Sequence, residues 1–463
     1  MKLNFFLFKK FKDKYLITND MGFYMFLEDD EFNYLVREQY EFLSETVIER
    51  LQDKMFIFNE EKEVFVERAM QVYRENKKYI FSGTSLHIFV LTNSCNMCCV
   101  YCQAQDSGQE IKGMMNKETA RNAVDIALQS PNENLTFEFQ GGEPLINFEI
   151  IKYIVEYTNE VNRSKNVYFT VVSNTLLLSD EMISFFAKNS ISVSTSLDGN
   201  REIHNANRPK KIGGGTYEEV CKNMKRLRDA QIDVGAIQTT TRKSLLMPDE
   251  ILKAYLDMGL QHVFIRPLTP LGYAREHWDE IGYTPNEFID FYKDVLTRII
   301  ELNKKGIPII EGHAIIFLRK ILNQSADNYM ELRSPCGAAV GQMAYYYDGN
   351  IYTCDEGRML AEMGKSEFKL GNVDYSNYDD LIDNDVCKIT CQASVLEGLP
   401  GCSECVYMPY CGVCPVVNYA MEENIYSREI NNYKCNIYKG MLDTIFELID
   451  ENPSAMEVFE GWM

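Results

Sequence analysis

The segment Thr92-Asn93-Ser94-Cys95-Asn96-Met97-Cys98-Cys99-Val100-Tyr101-Cys102 carries the spacing C-x3-C-x2-C directly after an apolar run. Three thiolates on one tight loop can hold three irons of a cubane [4Fe–4S] cluster and leave the fourth iron open to chelate a small molecule, such as an amino acid group. A structural zinc site is the bland alternative; it needs four closed ligands, and Cys98 would supply the fourth. A second set lies far downstream. Cys336 is followed after twelve residues by Gly349 and after four more by Cys354, then by Cys402-x2-Cys405-x5-Cys411-x2-Cys414, and twenty residues later by Cys435. Zinc ribbons are the structural alternative there. Two four-ligand sites would need eight thiolates or a histidine, and the nearby His313 reads more simply as a helix-start residue. Thirteen of the fourteen cysteines fall in these two bunches, and in a chain of 463 residues without an export signal they read as metal or cluster ligands and not as a disulfide framework. Cys221 stands alone and reads as a packed helix thiol.

The elements that must position these thiols alternate strongly between Leu86 and Leu268. Strand-like runs fall at Leu86–Thr92, Leu135–Phe139, Val167–Val172, Ile191–Leu197, Ile232–Thr240 and His262–Arg266. Amphipathic helical stretches separate them at Lys117–Gln129, Phe148–Asn162, Asp180–Asn189, Thr216–Ala230 and Pro248–Met258. Such strand–helix units predict a parallel sheet with outer helices, open or part of a barrel, with chemistry at the strand C-terminal ends. Turn phrases stand at those ends: Gly141-Gly142-Glu143-Pro144, Ser173-Asn174-Thr175 and Ser196-Leu197-Asp198-Gly199. Glycines there bring backbone polar groups close to a ligand, and Glu143 can accept from an ammonium. Residues 1–80 read as a small separate module: a hairpin, Lys14–Thr18 and Phe23–Phe26 about the turn Asn19-Asp20-Met21-Gly22, then helices at Asp30–Glu38 and Glu45–Gln52 and a short strand at Met55–Phe58. It fits either a winged-helix-like peptide holder or a packing cap. Two further helices are expected at Pro285–Lys304 and Ala314–Asn323. After Pro335 the apolar periodicity dissolves, which predicts a domain organised by metal.

Composition excludes several classes. Apolar residues make up 46% and charged residues 25%, ordinary for a globular protein. No run is long and apolar enough to span a membrane. The first residues, MKLNFFLFKKFKDKYL, do not form a secretory signal, which places the protein in the cytoplasm, a reducing setting suited to oxygen-labile clusters. The net charge of −21 argues against nucleic acid as a partner.

With these motifs in order on successive strand ends, residues 85–270 resemble the radical S-adenosylmethionine (SAM) enzymes. The resemblance implies that Cys95, Cys99 and Cys102 bind the cluster that chelates SAM, that Tyr101 precedes the last ligand, and that Gly141, Gly142, Glu143 and Pro144 form the family's GGEP motif, which meets the SAM amino group. Ser173, Asn174, Ser196 and Arg208 become candidates for the SAM carboxylate and ribose, and Cys98 matches no family position. The downstream cysteines resemble the SPASM domain of peptide maturases, which binds two auxiliary [4Fe–4S] clusters. By order, Cys336, Cys354 and Cys414 would hold the first, and Cys402, Cys405, Cys411 and Cys435 the second. The family usually has three residues before the cysteine aligned with Cys414, and here there are two. The fourth place of the first auxiliary cluster is open to substrate, or closed by Cys387 or Cys391. Asp355, directly after Cys354, stands where the related sulfatase-maturing enzymes place a base; a solvated turn with an internal ion pair is the other reading of Asp355-Glu356-Gly357-Arg358.

Three phrases, Thr84–Phe89, His204–Pro209 and Asp355–Met363, resemble the maturases of the His-Xaa-Ser system. His87 and His204 within them read as packed or capping histidines. The implied architecture is α/β: a partial (β/α)6 radical SAM barrel at 81–283, preceded by a leader-recognition module at 1–80 and followed by a helical linker at 284–330 and the SPASM domain at 331–463. The implied reaction is a 5′-deoxyadenosyl radical taking hydrogen from a ribosomally made precursor peptide, followed by a C–C, C–S or C–O cross-link. Its partners would be that peptide with its leader and a flavodoxin- or ferredoxin-like electron donor. The rival readings are an anaerobic sulfatase maturase making formylglycine, a nucleic-acid-modifying radical enzyme, and a non-catalytic iron–sulfur or zinc protein that binds peptide.

Overall fold

In the computed structural model, which describes residues 1–105, 112–426 and 432–463, the six apolar runs become parallel strands. These are β1 (Leu86–Val90), β2 (Asn134–Gln140), β3 (Asn166–Val172), β4 (Ser192–Ser196), β5 (Val234–Thr239) and β6 (His262–Arg266), paired in chain order. Period-two burial explains the choice of strand over helix. On β2, Leu135, Phe137 and Phe139 enter the core, and Thr136, Glu138 and Gln140 face the opposite side, the inner face of the curved sheet. Two of the intervening helices begin at a side-chain cap: Asn116 accepts from Thr119 N at Lys117–Ala127, and Ser179 from Met182 N at Asp180–Lys188.

The sheet does not stop at six strands. A short strand β7 (Ile310–Glu311) adds beside β6, while β8 (Gln342–Tyr345) lies parallel to β1 and continues into antiparallel β9 (Asn350–Tyr352) and β10 (Lys369–Asn372). The ten strands run β7-β6-β5-β4-β3-β2-β1-β8-β9-β10. Cys336 therefore precedes, and Cys354 follows, a hairpin laid directly against the first barrel strand. Gly349 turns that hairpin at φ +89°, a left-handed conformation that favours glycine, and this accounts for its place between the two cysteines.

The amino-terminal residues form a three-stranded antiparallel sheet, Leu7–Phe11, Lys14–Thr18 and Tyr24–Glu28, followed by helices Asp29–Val36, Glu45–Asp53 and Lys62–Asn76. Its own helices cover one face through Ile17, Met25, Leu27, Phe32, Leu35 and Leu51. The other face meets the carboxy-terminal helix Tyr433–Glu451, where Tyr24 and Phe26 set their rings 5.4 and 6.2 Å from Phe446. The strand Leu7–Phe11 was not legible in the sequence because its lysines break the apolar alternation. They serve this contact: Lys9 pairs with Asp443 at 2.6 Å, Lys12 with Glu447 at 2.7 Å, and Lys14, on the next strand, with Asp450 at 2.9 Å. The helix Lys62–Asn76 also escaped notice, since it buries only Phe65.

Candidate active site

The C-x3-C-x2-C loop leaves the end of β1 and is clamped on two sides by backbone. On one side the glycine turn after β2 continues the strand pairing: Gly142 N donates to Thr92 O at 2.8 Å and Glu143 N to Ser94 O at 2.9 Å. The approach is close enough that a Cβ on Gly141 would lie 2.3 Å from Thr92 O, and one on Gly142 2.3 Å from Ser94 O. On the other side, Cys98 N donates to Pro209 O at 3.0 Å and Val100 N to Asn207 O at 2.9 Å.

Glu143 is fully buried, and its carboxylate ties the strand ends together. Oε1 accepts from Leu145 N at 3.0 Å and Ser173 Oγ at 2.7 Å, and Oε2 accepts from Asn174 N at 2.8 Å. Burial pushes its pKa up, and these donors offset part of that shift. The sequence suggested an ammonium acceptor; the structure shows a strut with three donors already placed, and a carboxylate has room for one more. Asn174 Nδ2 in turn donates to Asn96 Oδ1 at 2.7 Å and lies 3.8 Å from Cys95 Sγ. Glu143, Ser173 and Asn174 thus converge on the thiol loop. Ser196 closes β4 on the inner face, and Pro144 opens the turn that leads into helix Phe148–Val161.

A second buried network stands under Cys99. Tyr101 OH donates to Asp198 Oδ2 at 2.8 Å, Arg208 Nη1 donates to Tyr101 OH at 2.8 Å, and Asn207 Nδ2 donates to Asp198 Oδ2 at 3.0 Å. Arg208 is 7% exposed, and its Nε has no partner among the described residues. Its charge lies beside the Cys99 thiol. An unpaired guanidinium donor next to a thiol loop suits an anionic ligand such as a carboxylate.

Burial pushes the Cys95 and Cys102 thiols up to about 12, each raised further by Cys99, and Cys99 upward as well. Protonated thiols are what an apolar pocket favours by itself; a bound metal cluster reverses that preference by coordinating the thiolates. The downstream thiols fall into two groups. Cys336, Cys354 and Cys414 share one apolar pocket with Leu271, Leu360, Phe368 and Val416, so the shorter spacer before Cys414 does not keep it from the other two. Cys402, Cys405, Cys411 and Cys435 line one enclosed cavity, which Cys414 also borders. Burial raises Cys336 to about 12 and Cys414 to about 11. Cys411 is raised by burial and then by Cys435, Cys405 and Cys402. Among the described residues no three His, Cys, Asp or Glu side chains close around a single-ion position; a cubane keeps its ligand sulfurs farther apart than one zinc does. Cys387 and Cys391 face each other on helix Asp385–Gln392, with Arg333 between Cys391 and Cys336. The group that neighbours all three thiols of the first set is Glu356.

Asp355 is held by an ion pair. Arg358, 1% exposed, donates through Nε to its Oδ1 at 3.1 Å and through Nη1 to Glu362 at 3.1 Å. The internal pair expected of this turn is present, buried and not solvated. His87 and His204 are both fully buried, and burial lowers each to about 3; both are packed, neutral histidines. His313 sits in the first turn of helix Gly312–Asn323.

Glu138 went unnoticed in the sequence. It lies on the inner face of β2, beside Ile88 and Thr170 of the flanking strands, and accepts from Gln140 Nε2. Its signal was a charged residue at an inward position of a strand otherwise rich in Phe. Burial raises it to about 7, and Asp355 and Glu356 add to the rise against Arg266. A carboxyl raised in the folded state holds its proton there while the unfolded chain has lost its own. This contribution is therefore full below the ordinary value of 4.5 and is lost as pH rises through about 7. Glu138→Gln should melt higher than the unmodified protein at about pH 8, with the difference gone near pH 4; melting curves at the two pH values check this.

Residues 89–258 match the family described as the Radical SAM superfamily. The Cysteine-type anaerobic sulfatase-maturating enzyme of Clostridium novyi is 24% identical over 334 residues, 71% of this chain and 86% of that one. The structure of native anSMEcpe with bound AdoMet superposes with a TM-score of 0.70 at 21% identity, over 82% of this chain and 100% of that one. Streptococcus suis SuiB bound to precursor peptide SuiA superposes with a TM-score of 0.57 at 15% identity, over 92% and 98%. Residues 89–258 carry a radical SAM domain on an α/β fold with a large parallel sheet, and the protein is an enzyme. The class implies a [4Fe–4S] cluster and SAM. Among the described residues no helix is long and apolar enough to cross a membrane.

Proposed function

We propose that this enzyme modifies a ribosomally made precursor peptide, abstracting hydrogen and closing a cross-link within it. The observation that carries the reading is how the three thiol groups adjoin: one sheet sets the loop after β1 beside the hairpin flanked by Cys336 and Cys354, and Cys414 borders the cavity of the other four. Cys95, Cys99 and Cys102 hold the first cluster, Cys336, Cys354 and Cys414 a second, and Cys402, Cys405, Cys411 and Cys435 a third. Bound together, the first cluster and SAM supply a 5′-deoxyadenosyl radical. The chain does the rest. Glu143, through Ser173 and Asn174, fixes the strand ends around the cofactor, and Arg208 offers its free N–H to the SAM carboxylate. The inner face of the sheet excludes water from the reacting carbon. Closing a cross-link removes two hydrogens from the peptide, one as an atom and one as a proton with an electron left over. Asp355, oriented by Arg358, would take the proton, and clusters held by the downstream cysteines would supply a sink for the electron.

The amino-terminal sheet and helices are the leader-binding element. SuiB, a structural neighbour solved with precursor peptide SuiA, spans 92% of this chain, which is the ground for giving this chain a peptide-binding element. The better superposition on anSMEcpe favours a second reading, oxidation of a cysteine or serine to formylglycine.

The test uses anaerobically reconstituted protein with excess dithionite and SAM, and a protein with Cys95, Cys99 and Cys102 all changed to Ala as control. About twelve irons and control-sensitive 5′-deoxyadenosine are expected. Candidate precursor peptides are then assayed by mass spectrometry with and without their leaders. Loss of two hydrogens, leader-dependent, supports the cross-link; a leader-independent aldehyde on a sulfatase peptide selects the second reading. Zinc in place of iron, or no SAM cleavage, refutes both.

A further inference from the structure

Among the described residues, the loop that carries Cys95, Cys99 and Cys102 has an outer edge that reaches the surface. Cys98 is exposed there. Against that edge lies a hairpin, Pro209-Lys210-Lys211-Ile212-Gly213-Gly214. Met97 bridges to Lys210, and Lys211 N donates to Asn96 O at 3.1 Å, in addition to the Cys98–Pro209 bond. The hairpin closes on itself through Lys210 N to Gly214 O at 3.0 Å and Gly213 N to Lys210 O at 2.9 Å. Gly213 and Gly214 stand at φ +88° and +96° with open space around them, so the turn depends on glycine. At that tip Ile212 is 94% exposed.

A single exposed isoleucine is ordinary on a protein surface. This one sits on a backbone-braced turn, next to two lysines, on a chain of net charge −21. Lys210 pairs with Glu219, whereas Lys211 is exposed and has no acidic partner among the described residues. The hairpin lies one hydrogen bond from Asn96, which neighbours Cys95. Of the thiols beyond β8, Cys402 and Cys411 are packed over by Leu7, Leu396, Leu399, Met408 and Val413.

We infer that the edge formed by Cys98, Lys211 and Ile212 is where a small acidic one-electron carrier protein docks to reduce the cluster on Cys95, Cys99 and Cys102. The inference rests on the cluster assignment proposed above. In the step the carrier is oxidised by one electron and the cluster reduced by one, and no bond in this chain forms or breaks. An apolar tip beside an unpaired lysine suits such a carrier, because the charge steers encounter while the apolar contact holds it.

The probe is a bacterial flavodoxin with its NADPH-dependent reductase. Binding of flavodoxin to the reconstituted enzyme is measured at low salt, and 5′-deoxyadenosine is measured in two arms, one driven by reduced flavodoxin and one by dithionite. For the double variant Lys211→Glu, Ile212→Glu, flavodoxin affinity and the flavodoxin-driven rate should each fall by about tenfold, with the dithionite-driven rate and iron content unchanged. Lys188→Glu, on a distant helix end, should alter neither. Unchanged flavodoxin binding overturns the proposal, as does an equal loss in both arms, since the hairpin would then act on the cluster itself. If the unmodified enzyme makes no 5′-deoxyadenosine even with dithionite, the cluster assignment fails, while the binding measurement still decides whether this edge is a docking surface.

Discussion

Gly142→Ala is expected to lower 5′-deoxyadenosine formation with dithionite by at least about 100-fold, because a displacement of about 1 Å at a reacting centre costs that much. A methyl at this position would lie 2.3 Å from Ser94 O, 2.6 Å from Ser94 C and 2.9 Å from Asn93 O. All three are main-chain atoms of the cysteine loop, so no side chain can swing aside to relieve the contact. The loop must move away from the end of β2 and carry the thiols off Glu143 and Asn174. Gly398→Ala, with nothing within 4 Å of its new Cβ, is the matched control and should retain full activity. An active Gly142→Ala protein with normal iron content would show that the glycine turn does not set the cofactor position.

Arg208→Met is expected to destabilise the fold by about 3–5 kcal/mol, the cost of leaving a buried charge without its partner. Asp198 is fully buried; Tyr101 OH, Asn207 Nδ2 and, at 3.4 Å, Thr239 N donate to it, and Arg208 supplies the only full positive charge in this network of the described residues. Burial raises the Asp198 carboxyl, and Arg208 holds it back. Without the guanidinium the carboxyl should protonate. The double variant Arg208→Met, Asp198→Asn should regain a large part of the loss, because it removes both charges together. Denaturant melts of the two single variants and the double, in iron-loaded protein, give the coupling directly. Additive losses would mean that Arg208 and Asp198 do not stabilise each other.

The barrel strands were legible because each repeats one rule, apolar residues at alternate positions between turn residues. The run His262–Arg266 is recovered to the residue. Pro285–Lys304 was as plain, with Thr284 and Glu287 forming a capping box around Pro285. The cysteine bunches were legible from spacing, and the sorting of the downstream ones into two groups followed from the resemblance. What spacing does not carry is where a side chain spends its hydrogen bonds. Glu143 could be placed at a strand end, but not as the acceptor from Ser173 and Asn174 that binds two such ends together. Asp355 could be placed after Cys354, but whether Arg358 reaches it through water or in a sealed pocket depends on residues far along the chain. Glu138 was invisible for a different reason: a glutamate in a strand is read as solvent-facing unless the inner side of that strand is known to be closed.

The hairpin that brings Cys336 and Cys354 beside β1 is hydrogen-bonded into the same sheet as the C-x3-C-x2-C loop. Neighbouring strands keep a spacing of about 4.8 Å, so the separation between these two redox-capable positions is set by main chain and not by how one domain leans on another. The amino-terminal sheet, by contrast, is held by side chains: rings on Phe446 and lysines on acidic residues of the last helix. Descent with modification can then act on the two independently. A lineage can replace the amino-terminal element without altering the separation between the two cysteine positions that the sheet fixes.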